Sequence, residues 1–145
     1  MAECKYKPKH FQLYELVPRE VHATVPHHIL WGCWKWEVLW TADQLWEIYG
    51  GPVIINDWWW KGPHQYRGWR PQKPPPGEKW AEWTQHAWWN ALDMTFKNVT
   101  AERVRQDIIR NEYPEAFQHI RCIEVGVPWL HFDCRNYDGL LVVAP

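Results

Sequence analysis

The chain has 145 residues, a formal net charge of −1 and 23% charged residues. A single domain of this size buries roughly two-thirds of its unfolded surface, and the balanced charge leaves no electrostatic footprint for nucleic acid or an acidic membrane surface. No apolar run approaches the ~20 residues of a membrane helix, and the start from Met1 to Pro8 lacks the apolar stretch of a signal peptide, so a cytoplasmically made protein without membrane insertion is expected.

Cys4, Cys33, Cys122 and Cys134 form no Cys-x-x-Cys pair and are expected as free thiols. Tryptophan is in excess, at 14 residues. That is too many indoles for one domain to bury completely. Some should lie at the surface, either as spill-over from core filling or as a platform for stacking sugars or peptides.

In chain order, residues 1–25 read as an N-terminal arm. Phe11, Leu13, Leu16 and Val17 recur there without a clean period, and a short helix is expected near Pro18. Pro26 opens the next unit with His27 and His28; adjacent on a helix, they diverge and cannot easily share one metal, so both are expected in solvent. Residues 34–49 carry Leu39, Ala42, Leu45, Trp46 and Tyr49 at spacings of three and four, which predicts a helix with Glu37, Asp43, Gln44 and Glu47 on its wet side. Gly50-Gly51 stops it, and residues 52–56 then form a β-branched strand.

Residues 57–80 hold five prolines and three glycines and no periodicity. A loop of this length in a compact domain is usually functional or disordered. Trp58, Trp59, Trp60, Tyr66 and Trp69 argue against plain disorder, so the loop is expected to wrap over the next strand and line a cleft, with a tip at residues 73–77. In Ala91–Phe96 the alternation puts Ala91, Asp93 and Thr95 on one face and Leu92, Met94 and Phe96 on the other. His86 precedes this strand, where the intervening turn can fold it back beside Asp93.

Thr100 caps a helix over residues 101–111, with Val104 and Ile108 facing inward and Ile109 as a third candidate. Strands follow at residues 119–125, 129–134 and 140–144, joined by turns at 126–128 and 136–139. Along 129–134, Trp129, His131 and Asp133 share one face. The expected fold class is α+β: one domain over residues 1–145, a small, mostly antiparallel sheet, helices packed on one side and the Trp/Pro-rich loop over the cleft.

His86, Asp93 and His131 supply two imidazoles and one carboxylate. Such a set leaves a fourth position open, which is how catalytic zinc is held to polarise water. Any one of the three alone is more often a satisfied structural group. Asp133 can orient the His131 imidazole or pair with Arg135. His64 is the extra candidate ligand, whereas His10, His22 and His119 read as structural or solvated. Cys134 faces away from His131 and reads as core.

Thr84-Gln85-His86, Ala91 and Asp93 resemble the Ser-x-His-x-x-Gly-x-Ala-x-Asp motif of the D-Ala-D-Ala carboxypeptidase/L,D-endopeptidase family of zinc peptidases, and Trp129-Leu130-His131 resembles its closing Trp-x-His. The likeness is closest to small phage and prophage members and covers nearly the whole chain, including the opening at residues 11–21, Ile55-Asn56-Asp57-Trp58, Gly68-Trp69-Arg70-Pro71 and the tail at 129–136. The departures are Thr84 for serine and Trp89 for glycine. Tryptophan does not easily take the positive φ that glycine allows, so either Asn90 takes the left-handed position or the turn has shifted.

The resemblance implies one zinc per chain on His86, Asp93 and His131. Family members place a proton-handling group near the last histidine. Pro128 occupies the dipeptidase position for that group, and Glu124 is the candidate here. Arg70, with Arg67 as its substitute, is expected to bind a peptide carboxylate or polarise the scissile carbonyl. Gln85 is a candidate donor to the substrate or the loop, and Trp129 a candidate cleft floor. The implied function is hydrolysis of peptidoglycan stem peptides, by carboxypeptidase or endopeptidase action, in a phage lysis enzyme or alongside virion proteins. The alternatives are a non-catalytic phage structural or wall-binding protein that keeps the fold, and a Trp-rich sugar-binding domain.

Overall fold

The computed structural model describes residues 4–145. Four helices and a five-stranded sheet make up an α+β domain. The arm carries a 3-10 turn, Leu13–Glu15, and α1, Arg19–Thr24. α2 is His27–Cys33 and α3 is Trp36–Tyr49, which ends at Gly50 with φ +77°. The sheet strands are β1, Val53–Ile54, β2, Ala91–Phe96, β3, Cys122–Glu124, β4, Leu130–Asp133, and β5, Leu141–Val143, with α4, Ala101–Ile109, between β2 and β3. Their order across the sheet is β1-β2-β4-β3-β5, antiparallel throughout except for the parallel β3–β5 pair.

The sheet has two different faces. Leu92, Met94, Leu130 and Phe132 are fully buried against Val38, Leu39, Ala42 and Leu45 of α3 and Val104 and Ile108 of α4. The helices therefore cover the face that the alternation marks as apolar. The opposite face carries Asp93, His131 and Asp133, and the long loop lies over it: the Asp93 amide donates to the Arg67 carbonyl at 2.8 Å. Asp93 stands directly across from His131 in the β2–β4 ladder. Because the Asp93 N–H is committed outward to the loop, this is a non-hydrogen-bonded pair, the type in which facing side chains come closest.

Several expectations are corrected. The strands are shorter than their apolar runs, β1 having two residues and β3 three. Asp43, assigned to the wet side of α3, is fully buried. The N-terminal arm crosses there, and the Asp43 carboxylate accepts hydrogen bonds from the Tyr6 hydroxyl and the Lys9 and His10 amides. On α4, Ile109 is exposed whereas Arg105 and Asp107 are buried; Asp107 accepts from the Tyr49 hydroxyl at 2.7 Å. All four cysteines are free. Trp59, Trp60, Trp83 and Trp88 are exposed, as the tryptophan excess requires.

Candidate metal centre

Thr84 caps a 3-10 turn, Gln85–Trp88, by accepting the His86 amide on its hydroxyl. The turn ends at Trp89, and Trp89 itself adopts the left-handed conformation, with φ +58° and ψ +34°. The expectation that Asn90 would take this position, or that the turn would shift, is thus corrected. Left-handed backbone costs a non-glycine residue roughly 1–2 kcal/mol. Here the indole offsets that cost by stacking on Trp69, with centroids 5.1 Å apart, and by meeting Trp34 edge-on at 5.3 Å. The left-handed turn between His86 and Asp93 is held by an aromatic stack.

The result is convergence. His86 Nε2, His131 Nδ1 and Asp93 Oδ1 face one another: the two nitrogens are 3.3 Å apart, His86 to Asp93 is 3.3 Å and His131 to Asp93 is 2.8 Å. All three residues are buried. The outer nitrogens decide what the inner ones offer. His86 Nδ1 lies 2.7 Å from the Gly68 carbonyl, so it carries the proton and leaves the Nε2 lone pair facing Asp93. His131 Nε2 donates to Asp133 at 2.9 Å, and Asp133 is held in turn by Arg135 through a two-pronged pair at 2.7 and 2.6 Å. Gly68 is placed for close approach, since a Cβ there would collide with the Leu16 carbonyl.

These distances fit a metal. Bonds of 2.0–2.1 Å to tetrahedral zinc separate ligand atoms by roughly 3.3–3.4 Å, and two of the three edges have that length. The third, at 2.8 Å, is the length of a hydrogen bond and has to open as a metal replaces the proton. Without a metal, burial alone would lower the His131 pKa, but its hydrogen bonds to Asp133 and Asp93 outweigh burial and push it up to about 10. Burial would raise the Asp93 carboxyl, yet both imidazoles hold it far below the usual carboxylate range. His86 is shifted down, mainly by burial. The cluster could hold a metal at the point where these three atoms meet.

Glu124, at the end of β3, brings Oε1 to 3.8 Å from His131 Nδ1. Arg70 places Nη1 3.7 Å from Asp93 Oδ2 and donates from Nη2 to the Thr84 hydroxyl at 3.1 Å. The hydroxyl at position 84 thus caps the turn and steadies the guanidinium. Arg67 lies over the Trp129 ring and Arg70 over the Trp80 ring; burial lowers both guanidinium pKa values. The Gln85 side-chain oxygen, Oε1, accepts from Asn90 Nδ2 at 2.8 Å and braces the turn. His64 sits in a side lobe outside the three-ligand group. Cys134 lines a different depression from the cleft, and burial raises its pKa.

A cleft of about 550 Å³ opens from Asp93 and His131 and is lined also by Glu124, Trp129, Arg70 and Trp83. A lobe of about 270 Å³ containing His64, Tyr66 and Arg67 joins it along Arg70, Trp80, Asp93 and Trp129. A depression of about 560 Å³ at the start of α4 holds neither histidine nor cysteine, whereas Asp93 and His131 line the cleft of about 550 Å³ together.

One contributor was not recognised from the sequence. Arg105 is buried, and its guanidinium donates to the Trp129 and Val127 carbonyls at 2.8 and 3.0 Å, fastening the turn between Glu124 and His131. Positions 101, 104, 105 and 108 fall on one helical face, and that signal was available.

No family model, no curated protein and no solved structure matches the chain. The likeness to zinc peptidases rests on the motif residues alone.

Proposed function

We propose that this chain is a zinc-dependent peptidase acting on peptidoglycan stem peptides, as a phage lysis enzyme or virion component. The observation that carries the reading is the commitment of the outer imidazole nitrogens to Gly68 and Asp133, which leaves the inner pair and Asp93 Oδ1 facing one point. Two imidazoles with one carboxylate are a catalytic zinc set rather than a closed structural one. Zinc held there would lower the pKa of water and polarise a carbonyl. Glu124 then accepts a proton from the attacking water and passes it to the departing amine, so that a C–O bond forms as the C–N bond breaks. Arg70 donates to the carbonyl oxygen as negative charge develops on it. Asp133 keeps the proton of His131 on Nε2 and the ring in place.

A second reading, a non-catalytic wall-binding or structural protein that keeps the fold, is favoured by Pro128 at the position where dipeptidases of the resembled family place their proton-handling group. Incubation of the zinc-loaded protein with a stem pentapeptide, followed by mass spectrometry, separates the two. Zinc-dependent release of a peptide fragment supports the peptidase. An intact peptide at high protein concentration, with purified cell wall equally untouched, contradicts it.

A further inference from the structure

The two ends of the sheet are finished differently. At one end β1 has only two residues, and the Gly51 and Pro52 carbonyls just before it accept from Asn98 Nδ2 and the Lys97 amide. At the other end β5, Leu141–Val143, is the outermost strand, and no further strand follows it among the described residues. The run Leu140-Leu141-Val142-Val143-Ala144 around it carries no charge and no proline. Edge strands ordinarily carry such a guard, because a bare edge is a template for pairing with another chain.

The parallel ladder with β3 fixes which backbone groups of β5 are already used. The Leu141 amide donates to the Arg121 carbonyl at 2.8 Å, and the Val143 carbonyl accepts from the Val125 amide at 2.9 Å. Backbone groups of alternate residues face the same neighbour, so Leu141 and Val143 are turned towards β3 while the N–H and C=O of Val142 point away from it. No other described backbone group bonds to Val142. By the register of the strands its side chain shares the face of Ile123 and Phe132. It is 45% exposed where both of those are fully buried, so the helical cover on that face ends before the edge.

We infer that β5 pairs antiparallel with β5 of a second copy of this chain, about a two-fold axis at Val142, joining two sheets into one. Val142 turns outward both a donor and an acceptor, which is what the members of an antiparallel hydrogen-bonded pair exchange. A two-fold axis at this residue lets Val142 make that exchange with its own counterpart, and Leu140 then faces Ala144 of the other copy. The edge is uncharged, so like meets like without repulsion and β-branched side chains face each other across the seam. A different peptide would find no charge there to select it. Two-fold contacts of this self-complementary kind are the commonest in oligomers, and so short a seam belongs to the weak, concentration-dependent class. The seam is independent of the peptidase reading.

Sedimentation equilibrium of the full chain should give a mass that rises from 17.6 kDa towards twice that value as concentration increases. Over the same range the Val142 amide should exchange with deuterium about tenfold more slowly. Val142→Pro removes the outward N–H without touching the β3 ladder, at an edge position where proline is tolerated; it should keep the wild-type circular dichroism and stay a monomer at every concentration. If Val142→Pro does not fold, Val142→Lys decides in its place, since a charge on the edge opposes pairing, and it too should stay a monomer. Wild type that remains at 17.6 kDa throughout overturns the inference, as does a folded Val142→Pro or Val142→Lys that still dimerises. A dimer whose Val142 amide exchanges as fast as in the monomer overturns it by placing the contact on another surface. A mass that climbs past the dimer overturns the two-fold pairing, which closes on itself.

Discussion

The two faces of the β2–β4 ladder are built from alternate residues of the same strands, yet they are held by opposite physics. On one face Leu92, Met94, Leu130 and Phe132 meet the helices, and stability comes from area removed from water and from close packing. On the other face Asp93, His131 and Asp133 are buried too, where each charge is tolerated only because a partner compensates it. The first face tolerates exchange among hydrophobic residues of similar volume. The second tolerates almost none, since removing one partner leaves a buried charge or lone pair unanswered. A single register sets both, because a slip of one residue would exchange the two faces.

That contrast gives the variants their order. The largest effect is expected at Glu124, which belongs to the polar face in function but is not a ligand. Glu124→Gln should keep zinc and fold while turnover falls by roughly 10²–10⁴-fold; steady-state kinetics beside metal analysis checks this, and unchanged turnover would give proton handling to another group. Phe132→Ala attacks the apolar face and should cost about 3–5 kcal/mol in denaturant unfolding, while the zinc content of the folded molecules stays the same. Asp133→Asn gives the smallest of the three effects. It keeps the shape but weakens the partner of His131 Nε2, so zinc affinity should drop roughly 10–100-fold in competition with a chelator.

The alternation in Ala91–Phe96 and Leu130–Asp133 was enough to assign the two faces, because period-2 geometry is local; the pairing of β2 with β4 that sets Asp93 across from His131 is non-local and lay outside that pattern. What local pattern could not show was what crosses each element. Asp43 is charged and was assigned to water, but the arm from Tyr6 to His10 buries it. Both it and Arg105 lie at inward helical positions, where periodicity and residue type disagree and the tertiary partner decides. Trp89 was expected to avoid the costly positive φ, whereas stacking on a residue twenty positions away holds it there. The orientation of His86 likewise depends on Gly68, in a loop whose path no periodicity describes.

A subtler test uses pH. In the metal-free protein the His131 pKa is raised from the ~6.5 of an unfolded chain to about 10. Its contribution to stability is therefore complete below pH ~6.5 and lost as pH rises towards 10. Asp93 and Asp133 are shifted down, so their contribution is present above the ordinary carboxylate range and lost as pH falls through their lowered folded values. His86, held neutral by burial, adds to the acid-side loss. Zinc replaces the Nδ1 proton and should remove the alkaline limb. Thermal melts should show Tm falling between pH 7 and 10 with chelator present and holding level with zinc; parallel curves would mean that the metal does not displace that proton.

The central claim is that the polar face closes on a metal, and metal analysis of the purified chain tests it most directly. Protein dialysed against trace zinc and then metal-free buffer should retain close to one zinc per chain, and His131→Ala treated identically should retain almost none. Folded wild-type protein that takes up no zinc, or a His131→Ala variant that retains it fully, would contradict the account.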